Sequence, residues 1–308
     1  MSNTQAAVLR SAAYSRAVRP AAPGAVAGTT LLYAALTVGA LLMIGPFVWM
    51  VLTSLKTPSE VAAFSWLPQT VRWQNYLEAL QAAPFGRYFL NSFFLASGQT
   101  LLTLLFATSA GYALARMPLP GRSALFAFTL AMIMVPGYIT LVPQFVIVKS
   151  VPFFGGNDLF GQGGTGWLNS WWALIIPGTL SPFYVFLARQ FYLGLPEELA
   201  EAARLDGLSE FGIFWRIMTP LIKPALATIT VLQFQGSWNN FLWPLLVTRD
   251  DALRPIQLVL AIFSQNPLQV EWAYLMAGAT LAILPVLLLF VFTQRYFIEG
   301  MATAGLKG

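Results

Sequence analysis

The chain has 308 residues, is 57% hydrophobic and only 9% charged, and carries a net charge of +5. Soluble domains carry about 25% charged residues, so this composition excludes a soluble globular protein and points to an all-α integral membrane protein. With no Cys and no His, the chain lacks disulfides, thiolate chemistry, the commonest metal ligand and the usual proton shuttle, so no catalytic residue and no metal site is expected.

Residues 1–28 carry Arg10, Arg16 and Arg19 without an acid. Pro20, Pro23 and Gly24 are expected to break any helix before the apolar segment begins. Small residues precede that segment instead of following it, which argues against a cleaved signal. Residues 1–28 therefore read as a flexible cytoplasmic tail. Residues 29–308 read as six transmembrane helices, each needing about 20 apolar residues.

The expected spans are 29–55, 88–114, 123–148, 171–187, 224–247 and 274–292. In the loop after span 1, Trp73, Tyr76, Leu77 and Leu80 have the spacing of an amphipathic helix at the outer interface. Pro136-Gly137 and Pro143 interrupt span 3, and Pro177-Gly178 and Pro182 interrupt span 4. Such breaks free backbone groups that lipid cannot satisfy, so they should face protein or a water-lined cavity. A glycine-rich loop, 155–167, separates these two spans. Its Gly161–Gly166 stretch is not followed by Lys-Ser or Lys-Thr, so it is no ATP-binding loop. The tail 293–308 is more polar.

Between spans 4 and 5 lies the charged stretch 197–220, which holds Glu197, Glu198, Glu201, Asp206 and Glu210, five of the twelve acids. Leu195-Pro196 is expected to open a helix, with Glu197 and Glu198 in its first turn to suit the helix dipole. Gly207 is expected to end it in a left-handed cap. Ser209 then caps a second helix, with Phe211, Phe214, Trp215 and Met218 spaced for one apolar face and Pro220 closing it. The result is a helix–turn–helix knob.

Lys and Arg set the orientation. With the N-terminus inside, the inner side holds Arg10, Arg16, Arg19, Arg116, Arg122, Arg189, Arg204, Arg216, Lys223, Arg295 and Lys307. The outer side holds Lys56, Arg72, Arg87, Lys149, Arg249 and Arg254, a split of eleven to six among 17 cations. Both termini and the charged stretch then face the cytoplasm.

The span interiors are almost free of ionisable residues, unlike those of ion-coupled carriers. Span 5 instead carries a polar stripe. Gln233, Ser237 and Asn240 lie at helical spacing, with Gln235 and Asn239 beside them. Uncharged amides next to Trp238, Phe241 and Trp243 suit a polyhydroxylated ligand, or else bond one helix to another. No basic patch with interleaved aromatics suggests nucleic acid.

Glu201, Ala202, Ala203, Asp206, Gly207, Ile217 and Pro220 resemble the EAA loop of ABC-importer permeases, with Thr219 where that family usually has Leu. Trp238 to Leu245, Phe85 to Ser92, Gly111 to Arg116, Pro120-Gly121-Arg122, Phe297-x-Glu299-Gly300 and Gly305-x-Lys307-Gly308 resemble the maltose-type carbohydrate branch. The resemblance covers about residues 29–308. It implies a six-span permease whose loop at about 195–220 is a coupling helix docking on an ATPase. It also implies a second permease subunit, an ATP-binding cassette dimer and an extracytoplasmic solute-binding protein. ATP and Mg would sit on the ATPase, with no cofactor in this chain. The implied cargo is a sugar or oligosaccharide. A glycerol-phosphate compound, or an ion-coupled carrier of another class, are the alternatives.

Overall fold

A computed structural model describes residues 23–82, 84–264 and 271–305. The expected tail lies outside these up to residue 22. Among the described residues the regular structure is entirely helical. The chain divides into a unit ending at Leu52 and a unit beginning at Thr53.

The first unit is built from helix α1, Pro23–Ser54. Pro23 and Gly24 open this helix and do not break it, because proline in the first turn lacks only an N–H that would have no partner anyway. Residues Gly28–Ser54 are apolar and long enough to cross a membrane. Being apolar all round suits a lipid-facing span.

The second unit begins with a hydrogen-bonded knot. Thr57 caps the short helix α2, Pro58–Ala62, in a reciprocal capping box with Glu60. Glu60 also accepts from the backbone of Gln69 at 2.8 Å and Thr70 at 3.3 Å. Donors led by the Thr57 N–H hold the Glu60 carboxyl below the usual carboxylate range. Helix α3, Gln74–Ala82, falls where the amphipathic spacing placed one. Its buried Asn75 donates to the carbonyls of Ser54 and Lys56, each at 2.8 Å.

Helix α4, Phe85–Arg116, is the longest central element. Helices α5, Arg122–Ile133, and α6, Gly137–Lys149, form one bent pair, at 104°. Helix α7, Trp171–Ile175, runs through a 3₁₀ turn, Ile176–Gly178, and meets α8, Pro182–Leu193, at 44°. Helix α9, Glu198–Leu205, and helix α10, Glu210–Leu221, follow, and α10 meets α11, Lys223–Trp238, at 80°. The chain ends with α12, Leu242–Val247, α13, Ile256–Ser264, and α14, Trp272–Gly305.

Three helices are long and apolar enough to cross a membrane alone, and six spans result if each bent pair counts as one. Two expectations need correcting. The expected fifth span, 224–247, is two helices, broken between Trp238 and Leu242. The last helix does not stop near residue 292 but continues to Gly305.

Helix α4 packs along α8 and α11, and α11 along α14. The α4–α8 contact is close because of Gly111. A Cβ there would lie 2.8 Å from the Ala188 Cβ and 2.9 Å from the Arg189 backbone nitrogen. Backbone cannot yield as a side chain can. Gly111→Ala is therefore expected to destabilise the solubilised protein by about 1–3 kcal/mol. Gly45→Ala, where an added Cβ meets nothing within 4 Å, serves as the control. Equal thermal unfolding midpoints for the two variants would contradict this packing.

Candidate functional site: a polar cavity at three helix breaks

The break between α7 and α8 follows from two prolines. In a continuous helix the carbonyl of Ala173 would accept from residue 177, and that of Gly178 from residue 182. Both acceptors lose their partner, because residues 177 and 182 are Pro and have no N–H. Other helices supply the missing donors. Trp243 Nε1 donates to the Ala173 carbonyl at 2.8 Å. Gln233 Nε2 donates to the Gly178 carbonyl at 3.0 Å.

The neighbouring carbonyls are satisfied in the same way. Gln99 Nε2 donates to Leu174 at 2.7 Å, Gln144 Nε2 to Pro177 at 3.3 Å, and Thr103 Oγ1 to Thr179 at 2.9 Å. Gln233 also donates to Gln99 Oε1, at 3.3 Å. The fit leaves no slack at Gly178, where a Cβ would fall 2.3 Å from Gln99 Nε2.

The three breaks converge on a cavity of about 530 Å³. Gly137, Tyr138, Leu141 and Gln144 line it from α6 and its start. Pro177 and Gly178 line it from the 3₁₀ turn, and Gln99 from the middle of α4. Gly236, Asn239, Asn240, Phe241, Leu242 and Trp243 line it from the α11–α12 break. That break has a local cause. Pro244 has no N–H for the Asn240 carbonyl four residues before it, and Asn240 Oδ1 accepts from the Trp243 backbone N–H at 3.2 Å.

The sequence-named pathway residues thus separate. Asn239, Asn240, Phe241 and Trp243 line the cavity. Trp238 is only 1% exposed, and its Nε1 donates to the Ala282 carbonyl of α14 at 2.9 Å. It stands in the core against Phe234 and is not part of the lining. Gln235 is exposed and also lies outside the lining. Gln99, Tyr138 and Gln144 were not singled out from sequence. The usable signal was the two prolines, whose orphaned carbonyls demand amide or indole donors from other spans.

The charged stretch forms a compact knob. Helix α9 starts at Glu198, two residues after Pro196. Ala200 and Ala203 face the core, while Glu201, Ala202 and Asp206 are exposed, and Leu205 is 90% exposed. Gly207 adopts φ +82°, the left-handed cap, and the Leu208 N–H reaches back to the Ala203 carbonyl at 3.0 Å. A Cβ on Gly207 would touch nothing within 4 Å, so backbone conformation is what demands glycine there. Ser209 Oγ accepts from the Gly212 N–H at 3.2 Å, the expected cap.

The apolar face of α10 differs from expectation. Ile213, Phe214 and Met218 are buried, with Ile217 packed beside them, whereas Phe211 and Trp215 are exposed. A π-helical stretch, Ile213–Met218, winds more residues into each turn and shifts the register. Pro220 is exposed near the helix end.

The knob is fastened to the spans by one core, which includes Tyr112 of α4, Ala188 and Tyr192 of α8, Ala200 and Ala203 of α9, Phe214 of α10 and Ala225 of α11. Polar contacts add direction. Arg116 donates to the Tyr192 carbonyl at 2.7 Å and to that of Leu195, closing the end of α8. Glu210 accepts from Arg204 at 2.7 Å and from the Tyr112 hydroxyl at 3.4 Å. The Tyr192 hydroxyl meets Thr219 Oγ1 at 2.8 Å.

An apolar helical bundle with stapled breaks, a polar cavity and an exposed charged knob suits a membrane permease. Residues 104–303 match the family described as binding-protein-dependent transport system inner membrane component, and the chain belongs to that family. It is 36% identical over 273 residues to an arabinooligosaccharides transport system permease protein of Bacillus subtilis, covering 87% of this chain and 92% of that one. It is 33% identical over 269 residues to a lactose transport system permease protein of Rhizobium radiobacter, covering 87% and 93%. The fold also matches a chain of a bacterial ABC transporter involved in the import of the acidic polysaccharide alginate. There the TM-score is 0.79 at 21% identity, covering 91% of this chain and 100% of that one.

The staples predict a local cost. Trp243→Phe and Gln233→Leu each leave one break carbonyl without its donor and should each destabilise by about 1–3 kcal/mol. Hydrogen exchange in the α7–α8 segment should rise more than exchange in α4. Unchanged protection across both segments would mean that the staples do not hold the break.

Proposed function

We propose that this chain is a permease subunit of a binding-protein-dependent ABC importer that moves a sugar or oligosaccharide. The observation that carries the reading is the knob at Glu198–Leu205, an exposed helix rooted in the same core as three spans. Family membership supports it, as do relatives named for oligosaccharide and disaccharide transport.

In this reading the chain hydrolyses nothing. ATP and Mg are held by a partner ATP-binding cassette dimer on the cytoplasmic side. A second permease subunit completes a heterodimer in the lipid bilayer, and an extracytoplasmic solute-binding protein delivers the cargo. Nucleic acid has no part. Both termini face the cytoplasm, in line with the eleven-to-six division of the 17 cations.

The coupling residues then take distinct roles. Glu201 makes a charged contact on the ATPase, with Ala202 and Asp206 on the same docking surface. Ala203 and Ile217 pack the knob to the spans. Gly207 supplies the turn, and Pro220 lies where α10 gives way to the next span. When ATP closes the ATPase dimer, the knob carries that movement to α4, α8 and α11. The cavity then opens alternately to each side. Asn239, Asn240, Phe241 and Trp243 contact solute in passing.

Gly207→Asp tests the coupling role. Any side chain at φ +82° strains the turn, by about 1–3 kcal/mol, and this one adds a charge at the docking tip. The variant should insert normally, yet lose ATPase recovery on affinity purification or lose solute-stimulated ATP hydrolysis. Full stimulated activity in that variant would contradict the proposal.

A further inference from the structure

Family membership leaves the charge of the cargo open. The relatives named above include one for lactose, which is neutral, and the fold neighbour imports an acidic polysaccharide. The cavity itself bears on the question. None of its lining residues is Asp, Glu, Lys or Arg. Beyond the lining, no Asp, Glu, Lys or Arg occurs anywhere in 88–115, 123–148, 171–188, 224–248 or 272–294. The volume of about 530 Å³ falls within the roughly 300–1,000 Å³ of small-molecule sites.

The polar atoms offered are mixed in kind. Asn240 Oδ1 is occupied by the Trp243 N–H, at 3.2 Å, so its amide presents the NH₂ donor. One N–H of Gln144 goes to the Pro177 carbonyl, at 3.3 Å, so it presents the Oε1 acceptor beside its remaining N–H. Because the partner in each case is a backbone group, neither amide can be reversed without loss. The Tyr138 hydroxyl does both. A ligand hydroxyl also donates and accepts, so it can match all three. A carboxylate or phosphate only accepts. It would meet Gln144 Oε1 with repulsion, and it would lose its hydration with no cation in return.

We infer that this cavity takes an uncharged, hydroxyl-rich ligand and rejects anionic ones, uronates and phosphate esters included. The inference rests on the carbohydrate reading above and narrows it. It sets aside a glycerol-phosphate cargo.

The test uses the transporter extracted with its native partners and held in nanodiscs, without the solute-binding protein. It is titrated with short neutral oligosaccharides (glucan, arabinan, galactan and chitin types) and with oligouronates of matched length. At least one neutral compound should bind, with every oligouronate at least about tenfold weaker. An oligouronate binding as tightly as the best neutral compound overturns the inference and leaves the carbohydrate reading intact. Binding by neither panel overturns the carbohydrate reading itself.

A second variant separates the charge filter from general fit. Tyr138 is 82% exposed, so Tyr138→Lys adds a cation without disturbing a packed core, and insertion and assembly of the variant are checked first. It should shift the preference toward oligouronates by about tenfold, as a nearby opposite charge does. An unchanged preference would place the filter outside this cavity and overturn the inference.

Discussion

The structure depends on what happens to carbonyls that lose their N–H partners inside a membrane. Lipid offers them nothing, so a proline-broken span survives only where another element supplies a donor. Pro177 and Pro182 orphan the carbonyls of Ala173 and Gly178, and Trp243 and Gln233 answer them from α12 and α11. Gln99, Gln144 and Thr103 complete the set from α4 and α6. The α7–α8 break is thereby locked against four neighbouring helices. The same requirement turns the α7–α8 break inward, and the cavity lies beside it.

The cavity and the knob sit at different levels of the same helices. Helix α4 carries Gln99 at the cavity and Tyr112 and Arg116 at the knob. Helix α11 carries Gly236 at the cavity and Ala225 in the knob's core. A displacement of the knob therefore reaches the cavity wall through continuous helices, with no long side-chain relay. On the proposed reading, this is how work done on a partner ATPase moves solute through a chain that has no ATP-binding loop.

Much of this was legible in the sequence, for identifiable reasons. The left-handed Gly207, the Ser209 cap and the breaks at Pro136-Gly137 and Pro177-Gly178 are local signals, and the structure places each as read. The break within 239–241 carries the same signal but was missed. Pro244 has no N–H, so the Asn240 carbonyl four residues before it loses its helical partner, and Asn240 Oδ1 takes up the Trp243 N–H. The buried face of α10 was misplaced because a π-helical stretch has no local signature. Nor could periodicity separate Trp238 from Trp243. Both indoles donate to a carbonyl of another helix, but only Trp243 also borders the cavity.

The most direct test of the account is the energy source. The purified assembly, reconstituted into liposomes with its solute-binding protein, would be supplied with a labelled oligosaccharide that this binding protein retains. Uptake should require ATP on the side of the knob and should be indifferent to an imposed proton or sodium gradient. Uptake that persists without ATP and follows an ion gradient would contradict the account.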